Sequence, residues 1–260
     1  MKLLITSLIA YVGSINALPS ELLYQNKPID SLCLFQASQS QLPVDLRHCG
    51  VTYQHYLKLK KSNQQLTQDG YIGFDYQPSA QQPSQGSSYY RVIGKLDHST
   101  IVKTVNQTGG TGDFTGLFKL KRQGNTLQLT PIAVGDRCNG GITEASIKNN
   151  TLQFSTNLTS FDLFALSKPV DIKLNAYADL ASCAVCCIGQ AQYSIHGNSP
   201  KILIGIDLGK EWIVPNQSSQ GKYQFCFESQ LLAYQHAKGP IIKASEIKDL
   251  MQQFVRQCLH

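Results

Sequence analysis

Three cysteines within five residues, Cys183, Cys186 and Cys187 in SCAVCCIGQA, form the densest reactive group in the chain. A Cys-X-X-Cys pair exchanges disulfides when its first thiol is acidified and exposed. Together with Cys138, the three could instead hold a zinc ion. Neither chemistry is well served. No Lys, Arg or His flanks Cys183-Ala184-Val185-Cys186, and no βαβ pattern surrounds it. Structural zinc sites draw on two separated Cys/His pairs, whereas Cys138 stands without a second cysteine in GDRCNGG. Structural disulfides are the expectation for the cluster, with no metal and no cofactor.

The chain holds eight cysteines: Cys33, Cys49, Cys138, Cys183, Cys186, Cys187, Cys226 and Cys258. A bridge from Cys33 to Cys49 closes a loop of about 17 residues and contributes on the order of 3 kcal/mol by restricting the unfolded chain. Cys226 opens one predicted helix and Cys258 closes another, so an antiparallel helical hairpin brings the two level. Neighbours such as Cys186 and Cys187 rarely bridge, because their backbone cannot reach disulfide geometry without strain. Two arrangements remain for the other four. Either Cys138 joins Cys187 and Cys183 joins Cys186, or Cys138 joins Cys186 and Cys183 joins Cys187. The first is favoured because Cys-X-X-Cys closes readily in a turn.

Other catalytic patterns are incomplete. The chain has no Gly-X-Ser-X-Gly elbow and no His-Glu-X-X-His helix. Gly109-Gly110-Thr111-Gly112-Asp113 lacks the lysine and helix of a phosphate loop and reads as a turn. Asp97-His98-Ser99 places three catalytic residue types side by side, but triads are built from residues distant in sequence. His48-Cys49 would suit a thiol enzyme only if Cys49 were free. No catalytic residue is assigned on these grounds. A hydrolase with a dispersed site would direct attention first to His55, His98 and His196. The binding candidates are Tyr71, Phe74, Tyr76, Tyr89 and Tyr90, aromatics that gather around the polar segment QPSAQQPSQGSS at 77–88. Tyrosines beside flexible polar loops often form contact surfaces, and core packing is the bland alternative. Trp212, the lone tryptophan, is expected to pack in the core or on a sheet.

The compartment follows from the N-terminus and the cysteines. Lys2, the apolar run at 3–12 and small residues near Ala17 have the layout of a secretory signal peptide. Its removal leaves about 243 residues outside the cytosol, where thiols oxidise. The apolar run is too short to span a bilayer, so a soluble exported protein, periplasmic or secreted, without a membrane anchor is expected. Charged residues are only 15%, against roughly 25% in ordinary soluble domains, and Gln, Ser, Asn and Thr replace them. The formal charge of +6 is spread thinly. Its densest stretches, at 58–61 and 119–122, alternate with apolar residues as a solvated strand face does, so no nucleic-acid partner is expected. Asn106, Asn149, Asn157 and Asn216 begin Asn-X-Ser/Thr triplets, which carry glycans in a eukaryotic secretory pathway.

The elements that must position these residues are mostly strands. Residues 70–76 and 89–96 read as a hairpin with a long tip. Period-two alternation around Gly124-Asn125 predicts a second hairpin within 114–134. Asn149-Asn150 turns a third between 145–148 and 152–155, since Asn tolerates the left-handed backbone of tight turns. A fourth joins 188–196 to 202–208. From Ser245, read as an N-cap, apolar residues fall at helical steps through Leu259, and a shorter helix covers 226–236 before Gly239-Pro240. The fold class is therefore mainly β (α+β): an antiparallel sheet, sandwich or open barrel, disulfide-braced, with a C-terminal helical hairpin. Its regions are a signal peptide at 1–17, an irregular N-terminal region at 18–66, a β-rich body at 67–215 and the hairpin at 216–260. The functional expectation is an exported binding protein without catalytic activity, for an unidentified protein or small ligand. A secreted hydrolase is the first alternative, and thiol–disulfide exchange at the Cys183–Cys187 cluster the second.

Overall fold

A computed structural model of the chain describes residues 18–40, 42–50, 61–77, 85–167, 172–209 and 220–259. The signal segment, His55, Trp212, Asn216 and the strand or helix expected near 53–59 lie outside them.

Three antiparallel sheets carry the fold, curled into a half-barrel. The smallest pairs β1 (Leu23–Tyr24) with β2 (Lys27–Pro28). After it come α1 (Ser31–Gln39), β3 (Val44–Asp45) and α2 (Lys61–Gln68). Helix α1 lies within the stretch around Cys33 whose sequence pattern reads as irregular. The side chain of Asp30 starts α1 by accepting the Leu32 amide proton at 2.9 Å.

The six-stranded sheet runs β3-β8-β7-β6-β5-β4. Its long members are β4 (Ile72–Tyr76), β5 (Gly86–Leu96), β6 (Ser99–Gln107), β7 (Phe114–Gln123) and β8 (Thr126–Asp136). The β4–β5 and β7–β8 hairpins stand where alternation placed them. Two details differ. Residues 86–88, expected in a loop, are buried members of β5, because Ser88 pairs with Asn106 across the sheet at 2.8 Å. Ser99, set beside a mock triad, begins β6, and Asp97 makes the tight turn before it with a φ of 50°.

The five-stranded sheet runs β13-β12-β11-β10-β9. It comprises β9 (Ile142–Lys148), β10 (Thr151–Leu158), β11 (Gly189–His196), β12 (Ile202–Asp207) and β13 (Ile241–Lys243). Asn149 and Asn150 turn β9 into β10 with φ values of 50° and 55°. A short helix unforeseen in the sequence, α3 (Ser160–Leu166), follows β10 behind a capping box between Thr159 and Asp162.

Two further helices close the chain, α4 (Gln224–Lys238) and α5 (Ile247–Cys258). Gly239 ends α4 with a φ of 90°. The link between the helices is not a plain turn, since β13 pairs with β12 inside it. Ser245 does not cap α5. It sits in a 3-10 turn, and Glu246 organises the entry by accepting from Tyr234 Oη at 2.8 Å and Lys238 Nζ at 3.0 Å.

Three apolar clusters follow from this layering. Leu34, Leu46, Tyr90, Val102, Phe118 and Leu127 pack α1 onto one face of the six-stranded sheet. Leu96, Ile101 and Leu117 on its other face meet Leu152, Phe154 and Ile195 of the second sheet. Farther along that second sheet, Leu158, Ala191, Ile206 and Ile242 receive Leu163, Phe227, Leu231 and Phe254 from the helices. One apolar face thus covers a sheet at one end and helices at the other.

Four disulfides join Cys33 to Cys49, Cys138 to Cys187, Cys183 to Cys186 and Cys226 to Cys258. Their Cα–Cα separations lie between 4.6 Å and 5.9 Å, the ordinary span of such bridges.

Candidate functional site

The cysteine cluster folds as a brace. Cys183–Cys186 closes a turn within the loop before β11, not at the start of a helix, and Cys186 is buried. Its sulfur takes the Cys183 amide proton at 3.0 Å. The vicinal Cys187 ties this loop to Cys138 in the tight turn after β8. A helix N-terminus or adjoining cation, which would acidify a thiol, does not form part of the turn.

Four of the five aromatic candidates are buried, and Phe74 is half-buried. Tyr89 and Tyr90 are fully buried, and Tyr71 and Tyr76 are nearly so. Tyr90 donates its hydroxyl to Ile29 O at 2.9 Å, tying the N-terminal segment to the sheet. Tyr89 donates to buried Asp75 at 3.0 Å, and the same carboxylate accepts from Asn63 at 2.5 Å and Gln85 at 2.9 Å. Burial and the Asp75 charge together push the Tyr89 hydroxyl pKa far up. Tyr71 lies under the Arg91 guanidinium, 4.8 Å away. Phe74 packs edge-on to Tyr76 at 6.2 Å. Asp75 and Tyr89 thereby tie Asn63 of α2 and Gln85 to the sheet.

The histidines do not assemble a catalytic group among the described residues. His98 sits exposed in the β5–β6 turn, whose Asp97 is held by the Asn150 side chain at 2.6 Å. His196 Nδ1 lies 3.0 Å from Thr151 Oγ1 at the end of the second sheet that meets this turn, and no carboxylate among the described residues is hydrogen-bonded to it. His48 contacts Asp45 at 3.7 Å on the surface. Of the glycan triplets, Asn106 is buried against Ser88, Asn157 donates its amide to Arg137 O at 3.1 Å, and Asn149 stands exposed at a turn.

One carboxylate pair diverges electrostatically. Burial, then the Asp136 charge, raises the Asp113 pKa, while hydrogen bonds from Arg137 hold Asp136 low. Such divergence marks acid and base pairs in enzymes. Here, however, Asp136 takes the Asp113 amide proton at 2.7 Å and the Arg137 guanidinium at 3.1 Å. The pair buckles the turn that carries Cys138.

Two of the cavities among the described residues lie against the long strands. The first holds about 410 Å³ between α1 and β7–β8, walled by Phe35, Phe114, Phe118 and Val134. Its polar groups are already committed: Asn106 to Ser88, Asp136 to Arg137, and Thr115 Oγ1 to the Ile142 amide at 2.6 Å.

The second is a cleft of about 480 Å³ where edge strand β9 passes β5. Ser146, Gln153 and Gln192 offer a hydroxyl and amides, Thr143 and Ser155 pair their hydroxyls at 3.0 Å, Glu144 and Arg91 bring charge, and Phe154 and Tyr193 supply an apolar wall. These two rings stack with centroids 5.2 Å apart, and Lys201 Nζ lies 4.7 Å from the Tyr193 centroid. Behind Thr143 stands Lys103, only 6% exposed, which donates to Thr143 O at 2.8 Å. Burial brings its ammonium down to about 8.

Strand alternation positions this lining. Along β10, Leu152, Phe154 and Leu158 point into the clusters and Gln153 and Ser155 to the other side, and the cleft is lined by residues of both kinds. Sequence reading missed the cleft because its residues are ordinary polar members of four strands. A signal for Lys103 did exist: it interrupts the β-branched run Ile101-Val102-Lys103-Thr104-Val105, where a buried strand would not place a charge. The chain matches no protein-family model, no curated protein and no solved structure.

Proposed function

We propose that this chain is an exported, disulfide-braced binding protein that holds a small polar ligand in the cleft between β5 and the β9–β12 face. Export is supported by the signal-like N-terminus and by four bridges, which persist in oxidising compartments. No helix among the described residues is long and apolar enough to cross a membrane.

The cleft carries the reading for one reason. Ser146, Gln153 and Gln192 line it with polar side chains that make no internal hydrogen bond among the described residues, beside a stacked aromatic pair, whereas Thr143 and Ser155 bond each other at 3.0 Å. Small-ligand sites combine apolar walls with a few placed polar groups in volumes of roughly 300–1,000 Å³. A hydrolase would draw on Asp113 and Asp136, but Asp136 is held by Arg137 and the Asp113 amide, and the Asp113 carboxyl, with Oδ1 buried and unbonded, lines neither cavity.

The test uses protein recovered from its export compartment. Native mass spectrometry is expected to show a retained small molecule, or a panel of neutral and acidic sugars and amino acids to contain one that raises the melting temperature. Gln153→Trp, a rim substitution that fills the cleft, is expected to abolish either signal. A ligand that binds equally well to this variant would place the site elsewhere.

A further inference from the structure

Arg91 and Lys103 are directly opposed residues on β5 and β6. Like charges in that register repel, and a buried charge is ordinarily paired. Neither residue takes part in an ion pair among the described residues. Arg91 donates to Asp69 O at 3.2 Å and covers the Tyr71 ring. Lys103 has three N–H donors and makes its hydrogen bond to Thr143 O. Arg91 thus lines the cleft without an ion pair among the described residues, and Lys103 lies behind Thr143, outside the lining. The carboxylates whose fields reach Lys103 are Glu144, exposed at the rim, and Asp113, which leans on Asp136 and Arg137.

We propose that the ligand of this cleft carries an oxyanion (carboxylate, sulfate or phosphate) that sits against the Arg91 guanidinium, with the Lys103 ammonium behind Thr143 adding its positive field. The inference rests on the cleft being a ligand site and adds the class of ligand. Arg91 can present two parallel N–H groups to such an anion, while the Ser146 hydroxyl and the Gln153 and Gln192 amides serve neutral polar groups beside it. Glu144 at the rim repels a second negative charge, which favours a monoanion bearing hydroxyls.

The test is a titration of isotope-labelled, oxidised protein followed by amide NMR shifts, with four probes: glucuronate, inorganic phosphate, inorganic sulfate and neutral glucose. At least one anion is expected to shift the Arg91, Lys103, Thr143 and Ser155 amides saturably, and the probe that saturates lowest identifies the oxyanion. Arg91→Gln and Lys103→Met are expected to weaken that probe at least tenfold. Its affinity is also expected to fall as pH rises through 8 and Lys103 loses its proton, with Arg91, Glu144, Asp113, Asp136 and Arg137 as the other charges near it. The wild-type titration decides even if a variant folds poorly. Glucose binding at the cleft unaltered by either variant, with no anion response, would overturn the oxyanion and leave the ligand site standing. Non-saturating anion shifts scattered over surface lysines would overturn the oxyanion as well. Silence of the cleft amides towards all four probes would overturn it too, and if Gln153→Trp leaves retained-ligand binding unchanged, the ligand-site reading falls with it.

Discussion

Glu228 occupies an inward position of α4 and is 3% exposed. One of its oxygens accepts from Gln224 at 2.8 Å, and Oε2 is buried without a partner. Gln224 is itself fully buried and spans to Ser160 and the Ala181 amide, so the carboxyl ends a polar chain through the helical layer. Burial raises the Glu228 pKa. A carboxyl with a raised folded pKa contributes stability that is complete below its unfolded value and lost as pH rises through the folded one. Glu228→Gln removes the buried charge and keeps the acceptor for Gln224. Urea denaturation is expected to find the variant more stable than wild type by about 1 kcal/mol at pH 8, with the two converging near pH 4, where the wild-type carboxyl is neutral. A difference that does not change with pH would refute this account. The signal for Glu228 in the sequence was weak, because a glutamate in an amphipathic helix ordinarily faces water.

At the level of elements, the bridges differ in what they constrain. Cys226–Cys258 spans 32 residues and clamps α4 to α5 around β13, whereas Cys183–Cys186 spans 3. Restriction of the unfolded chain grows with loop length, giving about 3–4 kcal/mol for the first and about 2 kcal/mol for the second. Replacing each pair by alanine is expected to lower unfolding free energy in that order, and denaturation curves of the two double variants measure it. An equal loss would mean that native-state packing, not loop closure, sets their worth. Hairpins were legible at this scale, because Asn149-Asn150 and Gly124-Asn125 combine turn chemistry with flanking alternation. Helix α3 was not. Its seven residues are too few for a periodic pattern, and the capping box Thr159/Asp162 was its one local mark.

For the whole molecule, the intersheet cluster decides cooperativity. Leu96, Ile101 and Leu117 from one sheet interlock with Leu152, Phe154 and Ile195 from the other. The apolar face of the second sheet then continues into the helical cluster. Neither sheet buries its face alone, so the β body and the helices are expected to unfold in one calorimetric transition. Leu152→Ala removes a fully buried side chain at the join and is expected to cost about 2–5 kcal/mol. It should shift that single transition without splitting it. Separation into two transitions would show that the helical layer and the six-stranded sheet unfold independently.

Local chemistry in the sequence was enough for the β-rich class, for the four hairpins and for the favoured cysteine pairing. Tight turns, period-two alternation and the reluctance of adjacent cysteines to bridge all act over a few residues. Tertiary structure alone decided the rest. It turned Tyr71, Tyr76, Tyr89 and Tyr90 inward, because their rings fill space beneath α1 and α2 that the sequence does not display. It also made the cleft, whose residues Arg91, Thr143, Ser155 and Gln192 lie on four strands. Their convergence depends on how two curled sheets cross, and no spacing along the chain encodes that angle.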